Sequence, residues 1–180
     1  FYTDPEKFEL IMEGFSMNWH FAAHESQLSG KSAIELRHLE SLLGEPMILV
    51  SGDEIRCISN VCTHRGMLLV DGSCSRSTLQ CPYHGRTFGL DGNMKSMPEF
   101  DLTEDFPTAQ DNLRTFPSIS WKGLIFTGLE PSGLKACLKE MEARIGWMPI
   151  EKFEYDHSRN RYYEIRANWA LYVDNYLEGF

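Results

Sequence analysis

Residues 62–66 read Cys62-Thr63-His64-Arg65-Gly66, and residues 81–85 read Cys81-Pro82-Tyr83-His84-Gly85. Each stretch carries one cysteine and one histidine and ends on glycine. The spacing is C-x-H, sixteen intervening residues, then C-x-x-H. Thiolates and neutral imidazoles are both metal ligands, so two matched pairs point to a metal centre at Cys62, His64, Cys81 and His84. Zinc also takes two cysteines and two histidines, but zinc fingers usually group Cys with Cys and His with His. Here each stretch mixes the two. That favours a two-iron centre with both thiolates on one iron and both imidazoles on the other. Gly66 and Gly85 fall where the backbone must turn tightly or approach the metal group closely, and Pro82 stiffens the second stretch. His64 and His84 each lie seven residues before an Asp-Gly pair, Asp71-Gly72 and Asp91-Gly92, as two similar hairpins would give.

Replacing two anionic thiolates by neutral imidazoles lowers the negative charge of a [2Fe–2S] cluster. Its reduced state then costs less, and the potential rises into a window of about −150 to +300 mV. Such a centre handles single electrons.

Outward from the two stretches, residues 33–130 read as a small antiparallel β domain. Met47 to Val50, Ile55 to Ile58, Thr78 to Cys81, Thr87 to Leu90 and Leu124 to Thr127 are short apolar, β-branched or aromatic runs. Ser51-Gly52-Asp53, Asp71-Gly72 and Asp91-Gly92 mark hairpin turns. Residues 93–118, rich in Pro and Asp, are expected as a long ordered loop. The segment 1–32 is expected to be helical: Thr3-Asp4-Pro5-Glu6 is a helix start, and Phe8, Ile11, Met12, Phe15 and Trp19 form a helical stripe. Residues 131–155 form a helix and linker, with a buried stripe of Leu134, Leu138, Met141 and Ile145 ended by Gly146 and Pro149. In 156–180, Tyr162 to Ile165 resembles a strand, and Trp169, Tyr172, Tyr176 and Phe180 recur at helical spacing. The fold class is thus mainly β, α+β overall, with flanking helices.

The chain has 180 residues and a formal net charge of −9. That disfavours nucleic acid and anionic membranes, which call for a basic face. No apolar run reaches transmembrane length. A start at Phe1-Tyr2-Thr3 without Met and an end at Glu178-Gly179-Phe180 lead us to expect a chain trimmed at both ends. Cys57, Cys74 and Cys137 are expected as reduced thiols in a cytoplasmic protein. His20, His24, His38 and His157 are scattered and read as ordinary packing or surface residues.

Cys62-Thr-His64-Arg-Gly and Cys81-Pro-Tyr-His84-Gly resemble the Rieske domain of non-haem iron ring-hydroxylating oxygenases, in the large (alpha) subunit. The resemblance extends from Tyr2-Thr3-Asp4-Pro5 and Trp19, through Gly44-Glu45-Pro46 and Met47 to Val50, to Gly123 to Phe126. It implies that residues 156–180 open a truncated catalytic domain of helix-grip fold, contributing its first strand and helix. Asn168-Trp169 and Asp174 to Phe180 resemble the approach to a mononuclear Fe(II) held by two His and one carboxylate. The first of those histidines would follow Phe180. Glu178 matches the carboxylate that bridges cluster and iron between subunits, and Asn175 a polar residue near the iron. Arg65, Gly66, Tyr83 and Gly85 adjoin the cluster ligands. Two positions depart from the common pattern: Arg86 stands where many members have Trp, and Ala170 where many have Lys. Respiratory Rieske proteins carry an extra cysteine in each loop. Here those positions are Met67 and Tyr83, which places the potential toward the low end of the window.

The resemblance implies an oxygenase component. It would accept electrons from a flavin reductase or a ferredoxin and pass them to the mononuclear iron. There O2 would hydroxylate a small organic substrate, in a homotrimer or an α3β3 assembly. Breadth of family favours an aromatic substrate, as in aromatic hydrocarbon catabolism. A Glu at the position of Glu178 also occurs in enzymes acting on quaternary ammonium compounds. A Rieske ferredoxin, a carrier without a catalytic domain, is the other alternative.

Overall fold

Short β-branched runs separated by Gly and Asp turns cannot build long strands, and the computed structural model shows many short ones. It describes residues 2–100 and 102–178. In chain order the elements are α1 (Pro5–Ser16), β1 (His20–His24), β2 (Ala33–Glu35), α2 (Arg37–Leu43), β3 (Met47–Ser51), β4 (Ile55–Ser59), β5 (Ser73–Cys74), β6 (Thr78–Gln80), β7 (Thr87–Gly89), β8 (Met94–Ser96), β9 (Thr115–Phe116), β10 (Ser118–Trp121), β11 (Leu124–Thr127), α3 (Leu134–Ile145) and α4 (Trp169–Leu177).

The strands form three antiparallel sheets, ordered β1-β11-β10, β5-β2-β3-β4-β9 and β6-β7-β8. β3 and β4 pair in register from Met47 against Ser59 to Ser51 against Ile55, with Gly52 at the turn. Because side chains alternate across a strand, these two strands feed two cores. Met47, Leu49 and Cys57 join Ala22, Ala23, Leu36, Leu39 and Ile125 on one side. Ile48, Val50 and Ile58 join Leu79, Phe88, Cys62 and Cys81 on the other. The first core binds α2 and the β1-β11 sheet to the centre. The second binds the β6-β7-β8 hairpins, so the two motif cysteines sit on the main hydrophobic core. Among the described residues no helix is long and apolar enough to cross a membrane.

The mainly antiparallel, α+β architecture agrees with the sequence reading, but several local expectations do not hold. The segment 1–32 is helical only in part. Asp4 caps α1 by accepting from the Glu6 and Lys7 amides, yet His20–His24 is a strand paired with β11. The α1 stripe is at most half-buried, because the helix lies outside against α2 rather than across a sheet. Trp19 falls beyond its end. The expected loop 93–118 contains β8, β9, the start of β10 and a 3-10 turn at Ala109–Asp111. α3 forms as expected, with only Leu134 of its stripe buried.

The strand expected at Tyr162 to Ile165 does not form. Its residues find no partner strand, and Tyr162 is 91% and Tyr163 81% exposed. α4 does form, with the Asn168 side chain accepting from the Ala170 amide. Its buried residue is Ala170, whereas Tyr172 and Tyr176 are exposed. Phe180, the last member of that stripe, lies outside the described residues, as do Phe1 and Gly179.

Phe88 is wholly buried beneath the two motif stretches. Phe88→Ala is expected to lower the unfolding free energy by about 3–5 kcal/mol, measured by urea denaturation.

Candidate metal centre

Both motif stretches are tips of short antiparallel hairpins, and they share one backbone design. The Cys62 amide donates to the Met67 carbonyl and the Gly66 amide to the Cys62 carbonyl, at 2.8 and 3.0 Å. The Cys81 amide donates to the Arg86 carbonyl and the Gly85 amide to the Cys81 carbonyl, again at 2.8 and 3.0 Å. Flanking pairs match as well: Val61 bridges Leu68, and Gln80 pairs Thr87. In both loops these partners stand one residue before and six after the cysteine.

Gly66 and Gly85 occupy the same place in each loop, with φ of +71° and +76°. At Gly85 a Cβ would also come within 3.0 Å of Pro98, so a side chain there meets both strain and a clash. The equal spacing from histidine to Asp-Gly is not the source of this likeness. Asp91-Gly92 turns β7 into β8, but Asp71-Gly72 leads into β5, which pairs with β2.

The cysteines point inward and the histidines outward. Cys62 and Cys81 are 2% and 3% exposed, and their side chains lie within hydrogen-bonding contact. His64 is half-buried and His84 exposed, with ring centroids 4.8 Å apart. Tyr83 stacks on His84 at 3.8 Å and fixes that ring's plane. Because the two turns are alike while the histidine sits second after one cysteine and third after the other, the two imidazoles meet from different sides.

Burial, assisted by Cys81, pushes the Cys62 thiol up, against the His64 amide and the Arg86 charge, which pull it down. Burial, then the neighbouring His84, Arg65 and Arg86, hold His64 below its ordinary value. A neutral imidazole is the ligand form, whereas a raised thiol must give its proton up to a bound cation. Among the described residues no three His, Cys, Asp or Glu side chains converge on one point. A two-iron cluster asks for something else, two ligands around each of two irons. The paired dry thiols and paired outer imidazoles fit that group in donor chemistry and in depth.

Asn60 and Asp111, which hold the site, escaped the sequence reading, whereas Arg86 stood out there as a departure that puts a charge near the cluster. Asn60 is wholly buried and imitates a backbone pairing: its Nδ2 donates to the Val70 carbonyl at 2.8 Å, and its Oδ1 accepts from the Val70 amide at 2.9 Å. That clamps the base of the first loop. Arg86 is 5% exposed. Its Nη1 donates to the Thr63 hydroxyl at 2.8 Å, and its Nη2 pairs with Asp111 at 3.2 Å. The Thr63 hydroxyl in turn donates to the Asp111 carbonyl at 2.7 Å. Thr63 lies between Cys62 and His64, so Arg86 ties one loop to the other. Only the Arg after His84-Gly85 could have signalled this.

Glu178 and Asn175 lie elsewhere. Glu178 closes α4, with its amide donating to the Asp174 carbonyl at 3.0 Å, and its charge acts on Tyr2. Asn175 lines an apolar groove with Phe15, Leu42 and Trp169. Arg65 and Met67 are exposed at the rim of the first loop.

Comparison with known proteins matches residues 18–117 to the Rieske [2Fe-2S] domain. The carnitine monooxygenase oxygenase subunit of Escherichia coli (strain K12) is 29% identical over 186 residues, covering 100% of this chain and 49% of the relative. A quaternary ammonium Rieske monooxygenase solved with L-carnitine is 28% identical, with a TM-score of 0.81 over 98% of this chain and 51% of its own. Naphthalene 1,2-dioxygenase from Rhodococcus sp. is 29% identical, with a TM-score of 0.66 over 77% of this chain and 33% of its own. The chain spans about half the length of the curated relatives it matches.

Asn60→Ala leaves the buried Val70 amide and carbonyl without partners. At about 1–3 kcal/mol for each unmet group, it is expected to cost roughly 2–6 kcal/mol in denaturant melts.

Proposed function

The chain belongs to the Rieske [2Fe-2S] domain family, and from that premise we propose that it is the electron-receiving part of a Rieske non-haem iron oxygenase. Cys62 and Cys81 would hold one iron of the cluster, and His64 and His84 the other. Bound there, the cluster stores and releases one electron at a time within the Rieske potential window. The observation that carries the proposal is the pair of like hairpin tips, each with its cysteine buried in the core and its histidine turned to the surface.

The chain's own residues divide the remaining work. Gly66 and Gly85 let the loops turn, and Tyr83 orients His84. Arg65 adds a positive charge at the rim. The outward edges of His64 and His84 face the solvent, where a flavin reductase or ferredoxin docks and where electrons leave for a mononuclear iron in the rest of the protein. Glu178, at the end of α4, would supply a carboxylate that accepts hydrogen bonds from a cluster histidine and from a histidine of the iron site. Asn175, three residues earlier, shares its face toward the iron. The whole protein is a cytoplasmic multimer that uses O2.

For the substrate, the reading shifts from aromatic hydrocarbons to quaternary ammonium compounds. Identity does not separate the two classes of relative, but coverage does. The likeness to the L-carnitine enzyme runs over 98% of the chain at TM-score 0.81, against 77% at 0.66 for the naphthalene enzyme.

The cluster-loaded protein is expected to contain about two irons and two acid-labile sulfides per chain and, once reduced, to give a Rieske-type EPR signal. His84→Cys is expected to lower the potential or to lose the cluster, read by redox titration. With reductase, NAD(P)H and O2, the full-length protein should consume a quaternary ammonium substrate such as carnitine. Turnover of naphthalene but of no quaternary amine would reverse the substrate assignment, and a colourless zinc protein would end the oxygenase reading.

A further inference from the structure

Arg86 is an unusual residue to bury. A charge taken out of water is costly unless it is paired and hydrogen-bonded, and an apolar side chain could fill the same space more cheaply. Its partners leave it incompletely satisfied. Nη1 reaches the Thr63 hydroxyl and Nη2 the Asp111 carboxylate, but the buried Nε finds no acceptor among the described residues. Phe106 lies 5.4 Å from the guanidinium carbon and closes another side. The positive charge nevertheless acts on both Cys62 and His64. A guanidinium that ties the two loops together and acts on Cys62 and His64, with a spare donor, stands ready for an anionic group.

We propose that Arg86 is a built-in positive charge that raises the reduction potential of the cluster, with Asp111 as the counter-charge that limits the rise. This rests on the reading of Cys62, His64, Cys81 and His84 as the cluster's ligands. Reduction adds one electron from an external donor and one negative charge to the cluster, and breaks no bond. A fixed cation beside it favours the reduced form, and a fixed anion opposes it, since net charge and hydrogen bonds to the sulfurs set the potential of such centres. Arg86 thus differs from Arg65, whose exposed charge is screened by water and salt. Thr63 keeps the arrangement fixed: its hydroxyl accepts from Arg86 and donates to the Asp111 carbonyl, so loop and ion pair move together.

The test is an EPR-monitored redox titration of the cluster-loaded, full-length protein at neutral pH. Arg86→Gln should lower the potential by an amount equal to about a tenfold smaller reduced-to-oxidised ratio at fixed poise, which is 59 mV for one electron. Asp111→Asn should raise it, and its amide oxygen can still accept from Thr108. Arg86→Lys keeps the charge and should stay within threefold of the wild type. A merely structural role would move Arg86→Gln and Asp111→Asn in the same direction, since both unlock the same loops. Shifts of the same sign, or no shift in either, overturn the proposal. If Arg86→Gln fails to load the cluster, Asp111→Asn and Arg86→Lys decide. A rise in the first with little change in the second supports the proposal, and any other pairing overturns it. A wild type with no Rieske EPR signal instead sinks the ligand assignment on which the proposal rests.

Discussion

Each motif loop is closed on itself by two main-chain hydrogen bonds, from the cysteine amide to the carbonyl five residues on and from the glycine amide back to the cysteine carbonyl. The rest of the site depends on this closure. It meets both the amide and the carbonyl of the cysteine, so the cysteine can descend into an apolar core without stranding either. It also requires a left-handed backbone after the turn, which only glycine adopts at no cost. With the cysteine side chain committed inward, the histidine two or three residues later has no place to go but outward. Depth is therefore assigned by the turn: cysteine sulfurs in the core with Phe88, Ile48 and Leu79, histidine nitrogens toward the surface.

That division suits electron transfer. Burial of the sulfur side excludes water and makes local charges count, while the imidazole side offers a short path to a partner. The chain as a whole carries a net charge of −9, but the charges that act on His64 are those of Arg65 and Arg86, the latter paired with Asp111. The acidic surface governs encounter at long range, and the buried arginine governs the energy of the electron once it has arrived. These two levels of electrostatics are set by different residues and can be varied separately.

What could be read from the sequence follows the range of the interactions. The four candidate ligands were legible because their spacing is local, and β3 because Met47 to Val50, buried on both faces, leave a dense apolar run, with β4 paired to it across the Gly52 turn. β1 was not legible. His20-Phe21-Ala22-Ala23-His24 carries a weak strand pattern and is made a strand by β11, with His20 opposite Thr127. α2 escaped because it is short and its N-cap, Leu36, has no side-chain acceptor for the helix amides. Tyr162 to Ile165 failed in the opposite way, since the pattern is a strand's but no neighbour supplies the ladder. At the site, Asn60 and Asp111 act through contacts with Val70 and Arg86. Nothing in their own neighbourhoods marks them.

The C-terminal segment shows how little of a helix is its own doing. Nine residues are too few for a stable isolated helix, and α4 buries only Ala170. It holds because α1 receives it. The Phe15 ring meets Trp169 edge-on at 4.7 Å, the Asn168 amide donates to the Tyr2 carbonyl at 2.9 Å, and the Tyr2 hydroxyl bonds to Asp174. This explains why α1, which looked like a core helix by its stripe, is only half-buried. Its apolar face is divided between α2 and α4. Leu171, Tyr172, Val173 and Tyr176 remain exposed around α4, an apolar surface of the kind that folded proteins cover. In the relatives this chain matches, about half of the length lies outside the matched region. α1 and α4 together therefore tie the helix that ends at Glu178 to the N-terminal end of the chain.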